Sequence, residues 1–181
     1  MSRNLYTIEA TTEIVQLLDS DEQIELVMNK WLKILSEHIQ VDTAEIFQLH
    51  SDTDTMNVVC EWLAPGQLSF FDKTSGIAVN PLLQVEKPLV ISSDSQENTG
   101  SGELEAIGMK AVMIFPVLKQ ESGNMVLSLN HRSKGYVWSM AEIKFTADAV
   151  KILQSILTRR IQKKSLAGSY AALEEILDNV G

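Results

Sequence analysis

Cys60 is the one thiol in a chain of 181 residues. It could be a redox sensor or the attachment point of a tetrapyrrole, but a lone thiol cannot supply both an attacking and a resolving group. A cysteine in an apolar strand is more simply a small buried hydrophobe. A single cysteine also excludes an internal disulfide framework and every multi-cysteine zinc site. His38, His50 and His131 share no short ligand spacing with one another or with Cys60, so no metal is implied and the three read as solvated or incidental. His38, in Ser36-Glu37-His38-Ile39-Gln40, lacks the acidic residue expected directly after a kinase phosphoacceptor. Glu103 and Glu105 flank Leu104 in a short helical turn, and Glu174-Glu175 lies on a later helix, both as solvated charge. No nucleophile with a partnered base, no catalytic carboxylate pair and no phosphate-cradling glycine loop can be picked out. The residues point to no enzyme and imply no cofactor.

Recognition chemistry is better represented. Trp62, Phe70, Phe71, Ile77, Met113, Phe115 and Ser128 combine large apolar side chains with few polar groups, the usual composition of a small-molecule pocket. The same residue types would serve as core. As a group they are expected to line a pocket, because residues 65–76 and the polar stretch 92–102 are placed to cover one face. Residues 92–102 contain no apolar side chain, and a loop with no core residues opens cheaply, so gating is expected there.

These residues must be positioned by an ordered core, and the composition permits one: 45% of residues are hydrophobic and 22% charged. Fifteen Lys and Arg against twenty-four Asp and Glu give a net charge of -9, which repels phosphate backbones and anionic lipid. Neither nucleic acid nor a membrane is an expected partner. No apolar run approaches the ~18 to 20 residues of a spanning helix, and no signal peptide is apparent, so a cytoplasmic location is expected.

Apolar residues recur at three and four over residues 5–18 and 24–39, which predicts two helices. Ser20 with Gln23 fits a capping box that would start the second helix near Asp21. The period drops to two over residues 45–49 and 56–63, a hairpin. Asn80-Pro81 predicts a short helix through about Lys87, followed by an edge-like strand over 88–91. Residues 111–118 are apolar throughout, as expected of a strand covered on both faces, with Pro116 implying a bulge or an unpaired position. Residues 125–130 return as its hairpin partner. Ser139 with Glu142 forms a second capping box, flanked by Trp138 and Ile143 at the staple positions. The helix it begins carries Val150, Leu153 and Leu157 on one stripe. Leu166, Tyr170, Leu173, Leu177 and Val180 follow at heptad spacing but out of phase, so a break is expected near residues 161–166, weakest at Gly168. The order of elements gives an α+β domain with helices on one face of a sheet and loops on the other.

Several strings resemble the GAF domain family: Glu61-Trp62 with Pro65-Gly66, the run from Gly108 through Val117, Val126-Leu127-Ser128-Leu129, and Val137-Trp138-Ser139 with Glu142-Ile143. Together they look like the GAF domains that precede PAS and GGDEF modules in bacterial cyclic-di-GMP signalling proteins, or those of hybrid histidine kinases. The resemblance covers roughly residues 24–160. It implies an antiparallel sheet with terminal helices on one face, a pocket for an unknown small molecule on the other, and homodimers through the terminal helices. The interface residues would be Val150, Leu153, Leu157, Leu166, Tyr170, Leu173 and Leu177. Residues 172–181 are similar to the opening of a PAS domain, so the expected division is an N-terminal helix over 1–20, a sensor domain over 21–162, and a linker helix or coiled-coil start over 163–181 that leads to a downstream PAS/GGDEF-type domain. Cys60 does not lie in the sequence context of bilin-binding members, and members that reduce free methionine sulfoxide need several cysteines. Cyclic-nucleotide-binding members carry an Asn-Lys-Phe-Asp-Glu signature that Asn130 and Glu142 match, with Trp138 at the aromatic. His131 and Ala141 replace the Lys and Asp, so the pair those two would make cannot form. The reading is a regulatory input module of a larger cytoplasmic signalling protein, with a ligand-free dimerisation or spacer module as the rival.

Overall fold

The computed structural model describes residues 2–69, 71, 77–93 and 108–180. Among the described residues three α-helices, α1 (Ser2–Gln16), α2 (Ile24–Ile39) and α3 (Met140–Val180), accompany six strands. The strands are β1 (Thr43–His50), β2 (Thr55–Leu63), β3 (Ile77–Ala78), β4 (Leu89–Ile91), β5 (Ala111–Leu118) and β6 (Met125–His131). They form one antiparallel sheet in the order β3-β2-β1-β6-β5-β4. This is the α+β, GAF-like architecture expected from the residue strings.

The sheet is apolar on both faces. On one, Trp31, Leu32 and Leu35 of α2 and Leu153 and Leu157 of α3 pack against Ala44, Ile46, Met113, Phe115, Leu127 and Leu129. The indole of Trp31 donates from Nε1 to the Ala149 carbonyl at 3.0 Å and ties α2 to α3. On the other face Phe47, Leu49, Met56, Leu83, Ile91, Met109, Val112, Ile114 and Val126 form a second cluster, and none of the long helices among the described residues packs on it.

Local chemistry accounts for most element ends. The second capping box is made in full: Ser139 Oγ accepts from the Glu142 amide at 3.1 Å, and Glu142 Oε1 accepts from the Ser139 amide at 2.9 Å. The first is not. Ser20 Oγ accepts only from the Glu22 amide at 3.2 Å, and α2 starts at Ile24 rather than near Asp21, with Gln23 as an N-cap lacking a side-chain bond. Asn80 caps as expected, accepting from the Leu82 amide at 3.0 Å, but the helix is a single 3-10 turn, Pro81–Leu83, and does not reach Lys87. At Pro116, which has no ladder donor, the β5–β6 register shifts before Leu118, as expected. Gly123 in the β5–β6 turn has φ +139, and a Cβ there would fall 1.8 Å from the Leu49 carbonyl oxygen. Only glycine fits.

The break expected near residues 161–166 is absent: α3 runs unbroken through Gly168. The phase mismatch imposes nothing, because the first stripe is buried up to Leu157 while every residue from Ile161 to Asp178 is exposed. Two stripes that face different surroundings need no common phase.

Candidate functional site

Alternation along three strands builds a cavity on the face of the sheet away from the helices. Along β1, Glu45 and Phe47 point to this face; along β6, Ser128 and Asn130 do; along β5, Val112 and Ile114 do. Phe71, Ile77, Met56, Leu82, Leu83 and Met109 complete a cavity of about 480 Å³, within the range of small-molecule sites. Phe71 meets Phe47 edge-on with ring centroids 5.1 Å apart.

Of the seven residues expected here, Phe71, Ile77 and Ser128 line the cavity. Phe70 lies outside the described residues, as do 94–102 of the stretch expected to act as a gate. Met113 and Phe115 are corrected: they face the helices, and their neighbours Val112 and Ile114 face the cavity. Because residues 111–118 are apolar throughout, sequence alternation carries no phase there. Trp62 is also corrected and packs on the helix side. The β1–β2 register shifts at Ile46/Phe47, pairing Ile46 with Cys60 and Phe47 with Val58, so Val59 is an extra residue. This bulge turns Cys60 and Trp62 to the face opposite Met56, against their shared even numbering. It also sends Cys60 into the helix-side core, where burial first and then Glu25 push its thiol up to about 12. A thiol so placed is a buried hydrophobe and cannot reach a ligand in the cavity.

At the polar end of the cavity only Ser128 is among the residues expected from the sequence; Glu45, Asn130 and Thr43 join it there. Asn130 donates from Nδ2 to Glu45 Oε2 at 2.6 Å and to Thr43 Oγ1 at 3.1 Å, and its Oδ1 accepts from Ser128 Oγ at 2.7 Å. Thr43, Glu45, Ser128 and Asn130 are all buried. Their signal in the sequence is a pair of polar residues at i and i+2 on each of two central strands, which puts them on one face. Burial pushes the Glu45 carboxyl up to about 8, against the opposing pull of Arg132 and of the Asn130 bond; Glu61, its cross-strand partner, pushes it further up. Arg132 Nη2 lies 3.7 Å from Glu45 Oε1.

Beside this end, Asp42 accepts from the amides of Arg132 at 2.6 Å and Ser133 at 2.9 Å. Burial works against its charge, but these two bonds and His131 outweigh it and hold the carboxyl below its usual range. His131 stacks on Tyr136 at 3.9 Å, and burial lowers its pKa despite Asp42 and Glu142. The two residues matching the cyclic-nucleotide signature thus have structural partners: Asn130 braces Glu45 and Thr43, while Glu142 caps α3 and accepts from Tyr136 Oη at 2.7 Å. Among the described residues no group of three or more His, Cys, Asp or Glu could hold a metal ion, and no helix is long and apolar enough to cross a membrane.

The expected interface residues divide into two sets. Val150, Leu153 and Leu157 are corrected: they are buried in the core of their own chain, where a second copy cannot reach them. Leu166, Tyr170, Leu173 and Leu177 stand exposed on the part of α3 that leaves the domain.

No family model matches the sequence, and no curated protein does. Solved structures do. The phycoerythrobilin-bound GAF domain from a cyanobacterial phytochrome is similar with a TM-score of 0.68 and 14% identity, over 89% of this chain and 99% of that one. The GAF domain from an Acinetobacter phosphoenolpyruvate-protein phosphotransferase gives 0.62 and 13%, over 84% and 92%. The chromophore binding domain of Stigmatella aurantiaca phytochrome P1 gives 0.68 and 11%, over 83% of this chain and 59% of that one. At these identities the likeness is one of fold: the chain has the GAF fold.

Proposed function

We propose that this chain is a sensory GAF domain that binds a small molecule in the cavity over β1, β5 and β6 and transmits its state through α3. The observation that carries this is the cavity itself, about 480 Å³, apolar on most sides and closed at one end by a buried polar network. A sheet face covered by packed helices needs no such space, and buried polar groups are retained where they orient something. The output path is supported by α3, which begins in a capping box beside the cavity strands and continues past the last buried residues with an exposed heptad stripe.

The reading extends to a regulatory rather than catalytic chain, acting as the cytoplasmic input module of a larger protein. It would form homodimers through Leu166, Tyr170, Leu173 and Leu177 and pass its signal to a PAS/GGDEF-type domain in cyclic-di-GMP signalling. The support for that context is the resemblance of the residue strings given above. Bilin-bound domains are among the solved neighbours, but Cys60 faces away from the cavity here, so a ligand in it would be held without a bond to that thiol.

The test is to purify the chain, record an absorbance spectrum, denature it and identify any released small molecule by mass spectrometry. A stoichiometric compound supports the sensor and names its input. An empty extract, together with thermal shifts that do not move across a metabolite panel, would favour a ligand-free dimerisation or spacer module.

A further inference from the structure

Among the described residues, Glu45 is the one charged side chain that lines the cavity, and no Lys, Arg or His does. The other polar side chains of the lining are Asn80, Ser128 and Asn130; the rest are apolar, Phe47, Met56, Phe71, Val112 and Ile114 among them. Arg132 lies beside the polar end, but its charge is directed at the protein itself. Its side chain is buried, Nη1 donates to the Leu68 carbonyl at 2.9 Å, and Nη2 is 3.7 Å from Glu45 Oε1. The residues outside the described set add no positive balance. Between positions 70 and 107 they hold Asp72, Asp94, Glu97, Glu103 and Glu105 against Lys73 alone.

An anion entering this cavity would leave its water and meet an acid with no counter-charge, a transfer whose cost nothing offsets. With or without a proton on Glu45, the lining holds no positive charge. A cation fares no better. Glu45 Oε2 accepts from Asn130 at 2.6 Å, and Oε1 is buried on the side of Arg132, so neither oxygen is available to pair with it. The groups left to a ligand are neutral: Ser128 Oγ, which donates to Asn130 Oδ1 and keeps its lone pairs, and Asn80, whose Oδ1 caps the 3-10 turn and whose Nδ2 remains a donor. We propose that the cavity selects an uncharged ligand, a largely apolar ring body with a neutral polar group, and rejects carboxylate- or phosphate-bearing molecules of similar shape. This rests on the cavity being a ligand site. Phe47 and Phe71, meeting edge-on, supply the aromatic wall on which a flat ring packs.

The experiment uses the whole chain and three probes that share one ring body and differ in charge: anthracenemethanol, anthracenecarboxylate and anthracenemethylammonium, all substituted at the same central carbon. Affinities are measured by equilibrium dialysis at about pH 7, where they are neutral, anionic and cationic. The alcohol should bind at least about tenfold more tightly than either ion. Phe71→Arg then ties the selection to this cavity. Phe71 lines it, is half-buried and lies on no helix or strand, so a cation there reaches the cavity wall without entering the core. In that variant the carboxylate should gain about tenfold relative to the alcohol, and the ammonium ion should not gain. Leu173→Arg, on the exposed stripe of α3, should move neither ratio. Either ion binding the natural chain within about tenfold of the alcohol, or a carboxylate-to-alcohol ratio that Phe71→Arg leaves unmoved, would overturn the charge selection alone. Failure of all three probes to bind up to their solubility would overturn the ligand reading of the cavity itself.

Discussion

Replacing Asn130 with alanine removes its bonds to Glu45 Oε2, Thr43 Oγ1 and Ser128 Oγ, at 2.6, 3.1 and 2.7 Å, and a long one to the Thr43 carbonyl at 3.5 Å. Each bond contributes about 1 kcal/mol net, and partners left buried without replacements cost more. Two effects reduce the total. Glu45 can turn its proton toward Ser128, and the adjoining cavity has room for water, so the expected loss is about 3 kcal/mol. For a chain of this length that is a fall in Tm of about 10 °C. The assay is urea unfolding followed by tryptophan fluorescence, since Trp31 and Trp138 are buried. The midpoint should drop with the slope unchanged, as expected when the native fold is kept and only its stability altered. Asn130→Asp, which keeps the shape but exchanges donors for a second carboxyl beside Glu45, should be at least as destabilising. A loss below about 1 kcal/mol in both variants would refute the reasoning, because it would mean that the network is not part of what holds β1 to β6.

Other perturbations follow from the same geometry. Glu45 is raised from its ordinary value to about 8, so between about pH 4.5 and 8 the native chain holds a proton that the unfolded chain has lost. Stability therefore declines as pH rises through that window and levels above it; relative to Glu45→Gln the slope should approach about 1.4 kcal/mol per unit, and a difference independent of pH would contradict the burial argument. Cys60→Ala should cost on the order of 1 to 2 kcal/mol as a small cavity. With its thiol pushed up to about 12, native Cys60 should react with a thiol reagent only on unfolding, and rapid labelling of folded protein would show that it is not core. Leu173→Asp with Leu177→Asp should give folded monomers in sedimentation if the exposed stripe mediates association, whereas Leu153→Asp should unfold the domain; an unchanged mass in the double variant removes the coiled coil.

Local rules placed most element ends, with the Ser20–Gln23 box as the exception. The Ser139–Glu142 box, the Asn80 cap, both hairpins and the irregularity at Pro116 depend on neighbours in sequence. The differences at the cavity share a cause: each depends on which face a residue turns to, and face is a long-range property. The Val59 bulge reversed the phase of β2 between Val58 and Cys60, and nothing in the residue types of 56–63 announces it. In β5 there was no polar residue to set a phase at all, so Met113 and Phe115 were exchanged with Val112 and Ile114. Nothing in the sequence marks Glu45, because a glutamate in a strand is ordinarily a solvated edge residue; only pairing with β6 on one side and β2 on the other makes it central. The division of α3 into buried and exposed halves had the same origin. Spacing gave its two stripes correctly, but where the domain ends is decided by what packs on the helix.

A ligand can shift α3 only by binding two arrangements of the domain unequally, so the joint between the cavity and the helix sets the scale of any signal. That joint is specific. Ile91, part of the cavity-side cluster, offers its carbonyl to Trp138 Nε1 at 3.1 Å, and Ser92 Oγ accepts from the Trp138 amide at 3.2 Å. Ser93 accepts at Oγ from the Tyr136 amide and donates its own amide to the Tyr136 carbonyl. Tyr136 Oη in turn donates to Glu142, the residue that completes the box at the start of α3. The bonds of residues 91–93 run from the β4 end of the cavity to Tyr136 and Trp138, and Tyr136 carries the link on to Glu142. At about 1 kcal/mol each, losing one to three of them matches the 1–3 kcal/mol typical of coupling between sites. Under the proposed sensor reading, a joint of this size would hold one arrangement in the absence of ligand and would yield to a single small molecule. A helix seated only by its apolar stripe would have no such intermediate setting, because displacing Leu153 and Leu157 from the core costs far more than a cavity ligand can supply.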